Sequence, residues 1–179
     1  MTPQKEKVSN SLNLVLRAIT FSSYAHRHQF RKDGKTPYIS HPFRVLTILR
    51  HVFGVTDERV LAAAVLHDTI EDTTTDFDDI CEFFGEEIAS WVAALSKDNR
   101  LPEKIREAEF YETLVASPDE VRLIKLADLY DNTLDSRKSL STDKQDRHTH
   151  QAKDFLKDLK KAGMSKNVRL ATEKLSTIL

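Results

Sequence analysis

Glycine and proline are scarce, four and five in 179 residues. Breakers this rare leave little room for the turn-rich chain of an all-β protein. A single cysteine, Cys81, excludes an internal disulfide and suits a reducing compartment. No apolar run is long enough to span a bilayer, and residues 1–11 lack the apolar core of a secretory signal. An excess of one charge is missing too. With 27 basic and 28 acidic residues the formal net charge is −1, so no global field draws the chain to nucleic acid or an acidic membrane. A cytoplasmic protein with neither of those partners is expected.

What is present forms helices. Apolar residues recur at helical spacing through most of the chain, and no alternating pattern of useful length marks a strand. "RKDGKTPYISHP" is the clearest loop, and Pro42 suits the first turn of the helix after it. Thr56 or Asp57 is the expected cap of the next helix. Ser117, Pro118 and Glu120 read as the start of another, with Ser117 as N-cap. Gly85 and Gly163 read as breaks. The pattern predicts one all-α domain of roughly seven to nine helices.

One helix ends oddly. "LAAAVL" (61–66) is core-like, yet His67, Asp68, Glu71 and Asp72 follow within six residues. Read as one continuous helix, His67 and Glu71 share a face, and Asp68 and Asp72 share the adjacent one. Acids at a helix C-terminus oppose the macrodipole, so a bound cation competes evenly with a merely solvated helix end. "IKLADLYDN" tips the balance. Asp128 continues the apolar stripe of Val121, Ile124 and Ala127, with Asn132 one turn on. A carboxylate there must be paired, protonated or metal-bound. The ordinary alternative is a salt bridge with Lys125. "YISHPF" adds His41 at a helix start. His41, His67, Asp68 and Asp128 together make a two-nitrogen, two-oxygen set suited to manganese, iron or zinc.

His67-Asp68 with a distant Asp128 resembles the HD superfamily of metal-dependent phosphohydrolases. "HRHQFRKDGKTPYISHP" (26–42), "LHDTIEDT" (66–73), "FGEEIASWVAALSKDNRLP" (84–102) and "IKLADLYDN" (124–132) narrow the likeness. They resemble the hydrolase domain of RelA/SpoT proteins and the free-standing small alarmone hydrolases, which include the animal SpoT homologue. The resemblance implies a single HD-domain helical bundle over residues 1–179, with a motif-bearing core at about 10–140 and C-terminal helices at about 142–178.

It also implies roles. His41, His67, Asp68 and Asp128 match manganese ligands, with another divalent ion as the alternative. Glu71 and Asp72 match the acidic pair that activates the attacking water. Arg31, Lys32, Asn132 and Asp135 match substrate-binding positions. The implied reaction removes the 3′-diphosphate from the guanosine alarmones ppGpp and pppGpp, giving GDP or GTP and pyrophosphate. One alternative is a phosphohydrolase of the same type acting on an adenine alarmone or on the 2′-phosphate of NADPH. Another is a nucleotide sensor or partner-binding protein without turnover. The expected partner is a small nucleotide; oligomerisation is left open.

Three positions depart from the family pattern. Phe30 stands where a basic residue is common, Leu134 where arginine is common, and Asp131 where an aromatic residue or histidine is usual. Lys104 and Arg106 could compensate for lost positive charge, although a solvated helix face is the favoured explanation of them. Trp91 reads as core.

Overall fold

The computed structural model describes residues 3–139 and 142–179, and in those residues the chain is helical with no strand. Two helices make its centre. One is α3 (Glu58–Leu66), capped by the Asp57 carboxylate, which accepts from the Arg59 amide. Every residue from Val60 to Leu66 is buried. A helix apolar all round must be covered on all sides. It is covered by α1 (Pro3–Ala25), α2 (Ser40–His51), α6 (Glu86–Leu95) and α8 (Asp119–Ser139). The second central helix is α8, whose Val121, Ile124, Leu126 and Ala127 are fully buried. It packs against α2, α3, α6 and α7 (Glu103–Ala116), and also against α9 (Thr142–Ala162) and α10 (Lys166–Ser176). Trp91 is buried in the core, as its pattern predicts. No described helix is long and apolar enough to cross a membrane.

The continuous helix expected through Asp72 is broken. α3 stops at Leu66, and a separate turn, α4 (Thr69–Asp72), follows. Side chains intercept the carbonyls that would carry the helix on. His67 Nδ1 donates to the Ala64 carbonyl at 2.8 Å and Thr69 Oγ1 to that of Leu66 at 2.7 Å. Asp68 sits between with φ −99° and ψ −2°. The break turns the His67-Asp68 pair inward, where an unbroken helix would have spread it.

Ser117 also departs from expectation. Its hydroxyl donates back to the Thr113 carbonyl at 2.7 Å and closes α7 instead of capping α8. Gly85, at φ 88°, lets α5 (Phe77–Phe84) turn directly into α6.

The loop between α1 and α2 is held by its own bonds. The Asp33 carboxylate accepts from the Lys35 and Thr36 amides and from the Thr36 hydroxyl. The Arg31 amide donates to the Thr36 carbonyl at 2.8 Å, and that of Tyr38 to Gln29 at 2.9 Å. A lone bridge pairs Phe30 with Pro37. The side chains of this segment therefore start from a fixed backbone.

Candidate active site

A cleft of about 410 Å³ opens where α2, the α3–α4 break and α8 meet. On its floor are His41, His67, Asp68 and Asp128. His41 Nε2 lies 3.2 Å from Asp128 Oδ1 and 3.5 Å from Asp68 Oδ2. His67 Nε2 lies 3.0 Å from Asp68 Oδ2 and 3.9 Å from Asp128 Oδ1. Nitrogen and oxygen atoms of His41, His67 and Asp128 all lie within 4.8 Å of one another, a grouping that could hold a metal ion.

The orientation of His67 bears on that capacity. A carbonyl only accepts, so the bond to Ala64 makes Nδ1 the donor and leaves Nε2 toward the floor. Buried Nε2 is close to Asp68 yet has no hydrogen-bond partner. A lone-pair nitrogen facing carboxylate oxygens is reconciled by a proton or a cation between them. The floor is also strongly polarised. Burial opposes the charged form of Asp68, but the facing His67 and His41 rings, when protonated, hold its pKa well below the carboxylate range. Burial likewise opposes ionisation of Asp128, and Lys125 and His41 outweigh it.

Glu71 and Asp72 stand on the rim, on α4. The Lys97 backbone amide donates to Glu71 Oε2 at 2.9 Å, which fixes the carboxylate from the loop after α6. Burial pushes the Glu71 pKa up, against the pull of Lys97. Burial and the Asp68 charge do the same for Asp72. The Tyr38 hydroxyl lies 2.6 Å from Asp68 Oδ2 and 2.8 Å from Asp72 Oδ2, and so ties floor to rim. Gln29 Nε2 donates to the Asp72 carbonyl at 2.6 Å, while Gln29 Oε1 meets His26 Nδ1 at 2.7 Å.

The walls carry the cations. Arg31 and Lys32 line one side, beside the exposed ring of Phe30. Arg31 donates to Asp135 Oδ2 at 2.7 Å and to Asn132 Oδ1 at 3.3 Å. Asn132 Nδ2 in turn donates to Asp128 Oδ1 at 2.5 Å. Asp135 itself does not line the cleft; it stands behind Arg31. Lys97 and Lys125 also line the cleft, at the Phe110 ring, their Nζ atoms 5.3 and 5.2 Å from its centroid. The Lys125–Asp128 salt bridge, weighed as the ordinary alternative, forms at 2.8 Å, and Asp128 faces the two histidines at the same time. Lys104 and Arg106 lie outside the cleft.

Nine of the ten residues singled out from the sequence thus line one cleft. Sequence reasoning missed Tyr38, Lys97, and Lys125 as a wall residue. Tyr38 had a signal, since it lies in the same "PYISHP" loop as His41. Lys97 had none, because its use depends on how α6 packs against α4.

The HD domain family model matches residues 18–163. The guanosine-3′,5′-bis(diphosphate) 3′-pyrophosphohydrolase MESH1 of Xenopus tropicalis is 40% identical over 132 residues, covering 73% of this chain and 74% of the relative. Its Homo sapiens counterpart is 42% identical over 122 residues, 68% of each chain. Among solved structures, a metazoan ortholog of SpoT that hydrolyzes ppGpp aligns with a TM-score of 0.80 at 31% identity, over 92% of this chain and 94% of that one.

Proposed function

Because this chain belongs to the HD-domain family, we propose that it is a metal-dependent pyrophosphohydrolase that removes the 3′-diphosphate from ppGpp and pppGpp. The products are GDP or GTP and pyrophosphate. The observation that carries this reading is the polarity of the cleft. Two imidazoles and two carboxylates form its floor, and Arg31, Lys32, Lys97 and Lys125 line the cleft around it. The floor suits a cation and the walls suit a polyanion. A nucleotide with phosphates on both its 3′ and 5′ oxygens uses both.

His41, His67, Asp68 and Asp128 would hold the ion, which we take to be manganese. The nitrogen–oxygen donor set and the unpartnered Nε2 of His67 fit it. When bound, the ion supplies a Lewis acid beside the reacting phosphorus and a lowered pKa for water. Arg31 and Lys32 hold the nucleotide and direct its 3′ end to the floor. Glu71 accepts the proton of the attacking water, and Asp72, held by Tyr38, orients that water. The water oxygen bonds to the phosphorus attached to the ribose 3′ oxygen. The bond between that phosphorus and the 3′ oxygen breaks, the 3′ oxygen takes a proton from solvent and leaves as a hydroxyl, and Glu71 gives its proton back to solvent.

The test is the inorganic product. In isotopically labelled water, pyrophosphate should appear carrying the solvent oxygen, with none in the nucleoside. Orthophosphate as the only inorganic product would sink the alarmone reading and favour the phosphatase alternative, with the metal floor still intact.

Metal loading should depend on pH in a defined direction. Burial disfavours the His41 imidazolium, but hydrogen bonds to Asp128 and Asp131 and the Asp68 charge outweigh it, and the pKa is pushed up to about 9. A metal on Nε2 replaces that proton. Apparent manganese affinity should therefore fall as the pH is lowered below about 9, because the imidazole ligands must release their protons before an ion can bind. Chelator competition across neutral pH measures the slope. A flat profile would remove His41 from the ligand set.

A further inference from the structure

Behind the floor, outside the cleft lining, lies a second set of charges. Asp131 is buried at 2 % exposure, on the same face of α8 as Asp128 and Asp135. Its Oδ2 lies 2.6 Å from His41 Nδ1. Arg44, one turn after His41 on α2, grips the same carboxylate with two bonds, Nε to Oδ1 at 2.6 Å and Nη2 to Oδ2 at 2.9 Å. Arg44 Nη2 also lies 3.6 Å from Asp135 Oδ1, and Asp135 Oδ2 meets Arg31 at 2.7 Å. An unbroken series of opposite charges thus runs from a floor imidazole, through Asp131, Arg44 and Asp135, to the arginine on the cleft wall.

Building on the metal reading above, we infer that Asp131 is the positioning residue of the metal centre: it fixes the His41 ring so that Nε2 faces the ion, and Arg44 holds Asp131 in register. The chemistry follows from the two ring nitrogens. A carboxylate clamped by a guanidinium only accepts, so Nδ1 must carry a proton, and Nε2 is the nitrogen left to take the metal. The same bond sets the ring plane and raises the basicity of the donor nitrogen. A residue of this kind belongs to one histidine. His67 has a backbone carbonyl in the equivalent place, so the two imidazoles are supported differently. Asp131 stands where the family pattern has an aromatic residue or histidine, and its partner is a charged arginine.

The test is manganese affinity, followed by the electron spin resonance of free ion, in wild type and in Asp131→Asn. The substitution keeps the shape and removes the charge. Its manganese dissociation constant should rise about 10–100-fold, with KM nearly unchanged and kcat recovered at saturating metal. In a His41→Ala chain the same substitution should cost nothing further, because its effect passes through the missing ring. A dissociation constant within about twofold of wild type, or an equal loss in both backgrounds, would overturn the inference. Should Asp131→Asn fail to fold, nitrogen NMR of the zinc-loaded wild type decides. The proton should sit on His41 Nδ1 and the metal on Nε2; the reverse would refute the assignment. A wild-type protein that takes up no divalent ion fails the metal reading itself, an outcome visible before any variant is made.

Discussion

Replacing Glu71 with glutamine should lower kcat by about 10²–10⁴, with substrate binding close to wild type. The side chain keeps its size and can still receive the Lys97 amide, so the rim geometry survives. What disappears is an ionisable oxygen able to take the proton of the attacking water. Glu71 is the better base of the acidic pair because Asp72 already engages Tyr38 and, through its carbonyl, Gln29. The raised pKa of Glu71, caused first by burial, brings its basicity nearer to neutral pH. It must be ionised to act, so kcat should fall on the acid side as the group takes up its proton. Lys32→Ala should behave oppositely, raising KM and leaving metal content alone. Steady-state kinetics with a direct binding measurement separate the two. Near-normal turnover in Glu71→Gln would move the base role to Asp72.

Asp128→Asn should abolish turnover and metal retention together, and it should also weaken the fold. Asp128 serves three neighbours at once. Oδ2 pairs with Lys125 at 2.8 Å, and Oδ1 accepts from Asn132 and faces His41 at 3.2 Å. Lys125 is largely buried, and its pKa is held up chiefly by the Asp128 charge against desolvation. Removing that charge leaves a buried cation alone, a change that costs about 3–5 kcal/mol. Denaturant melts measure it. Lys125→Met in the same chain should recover part of the stability but none of the metal or activity, which separates the structural pair from the ligand role. Added manganese should stabilise wild type and leave Asp128→Asn unmoved. A folded Asp128→Asn protein with full metal occupancy and full turnover would show that the ligand assignment is wrong.

Helix content, the apolar centre around residues 60–66 and the clustering of His41, His67, Asp68 and Asp128 into one candidate centre were legible from the sequence. Each rests on local information: a helical period, or residue types that carry a cost in a core unless something pays them back. The break at His67-Asp68 lay just beyond that reach. Periodicity reads straight through it, and only the side-chain bonds to Ala64 and Leu66 show that the helix stops. Family likeness brought Arg31 and Asp135 to the same list, but their pairing across more than a hundred residues comes from the packing of the α1–α2 loop against α8.

The least legible residues were those that act on another side chain. Asp131 reads in the sequence as a departure, and Arg44 as an ordinary helix residue. Lys97 matters through its backbone amide, which has no sequence identity at all. Sequence by itself determined which chemistry the chain can carry, because donor atoms and apolar stripes are properties of single residues and short windows. Only the tertiary structure decided which nitrogen of each histidine faces the floor and which carboxylate is held by which cation. Those choices depend on contacts of about 3 Å between segments far apart in the chain, and helix packing sets them.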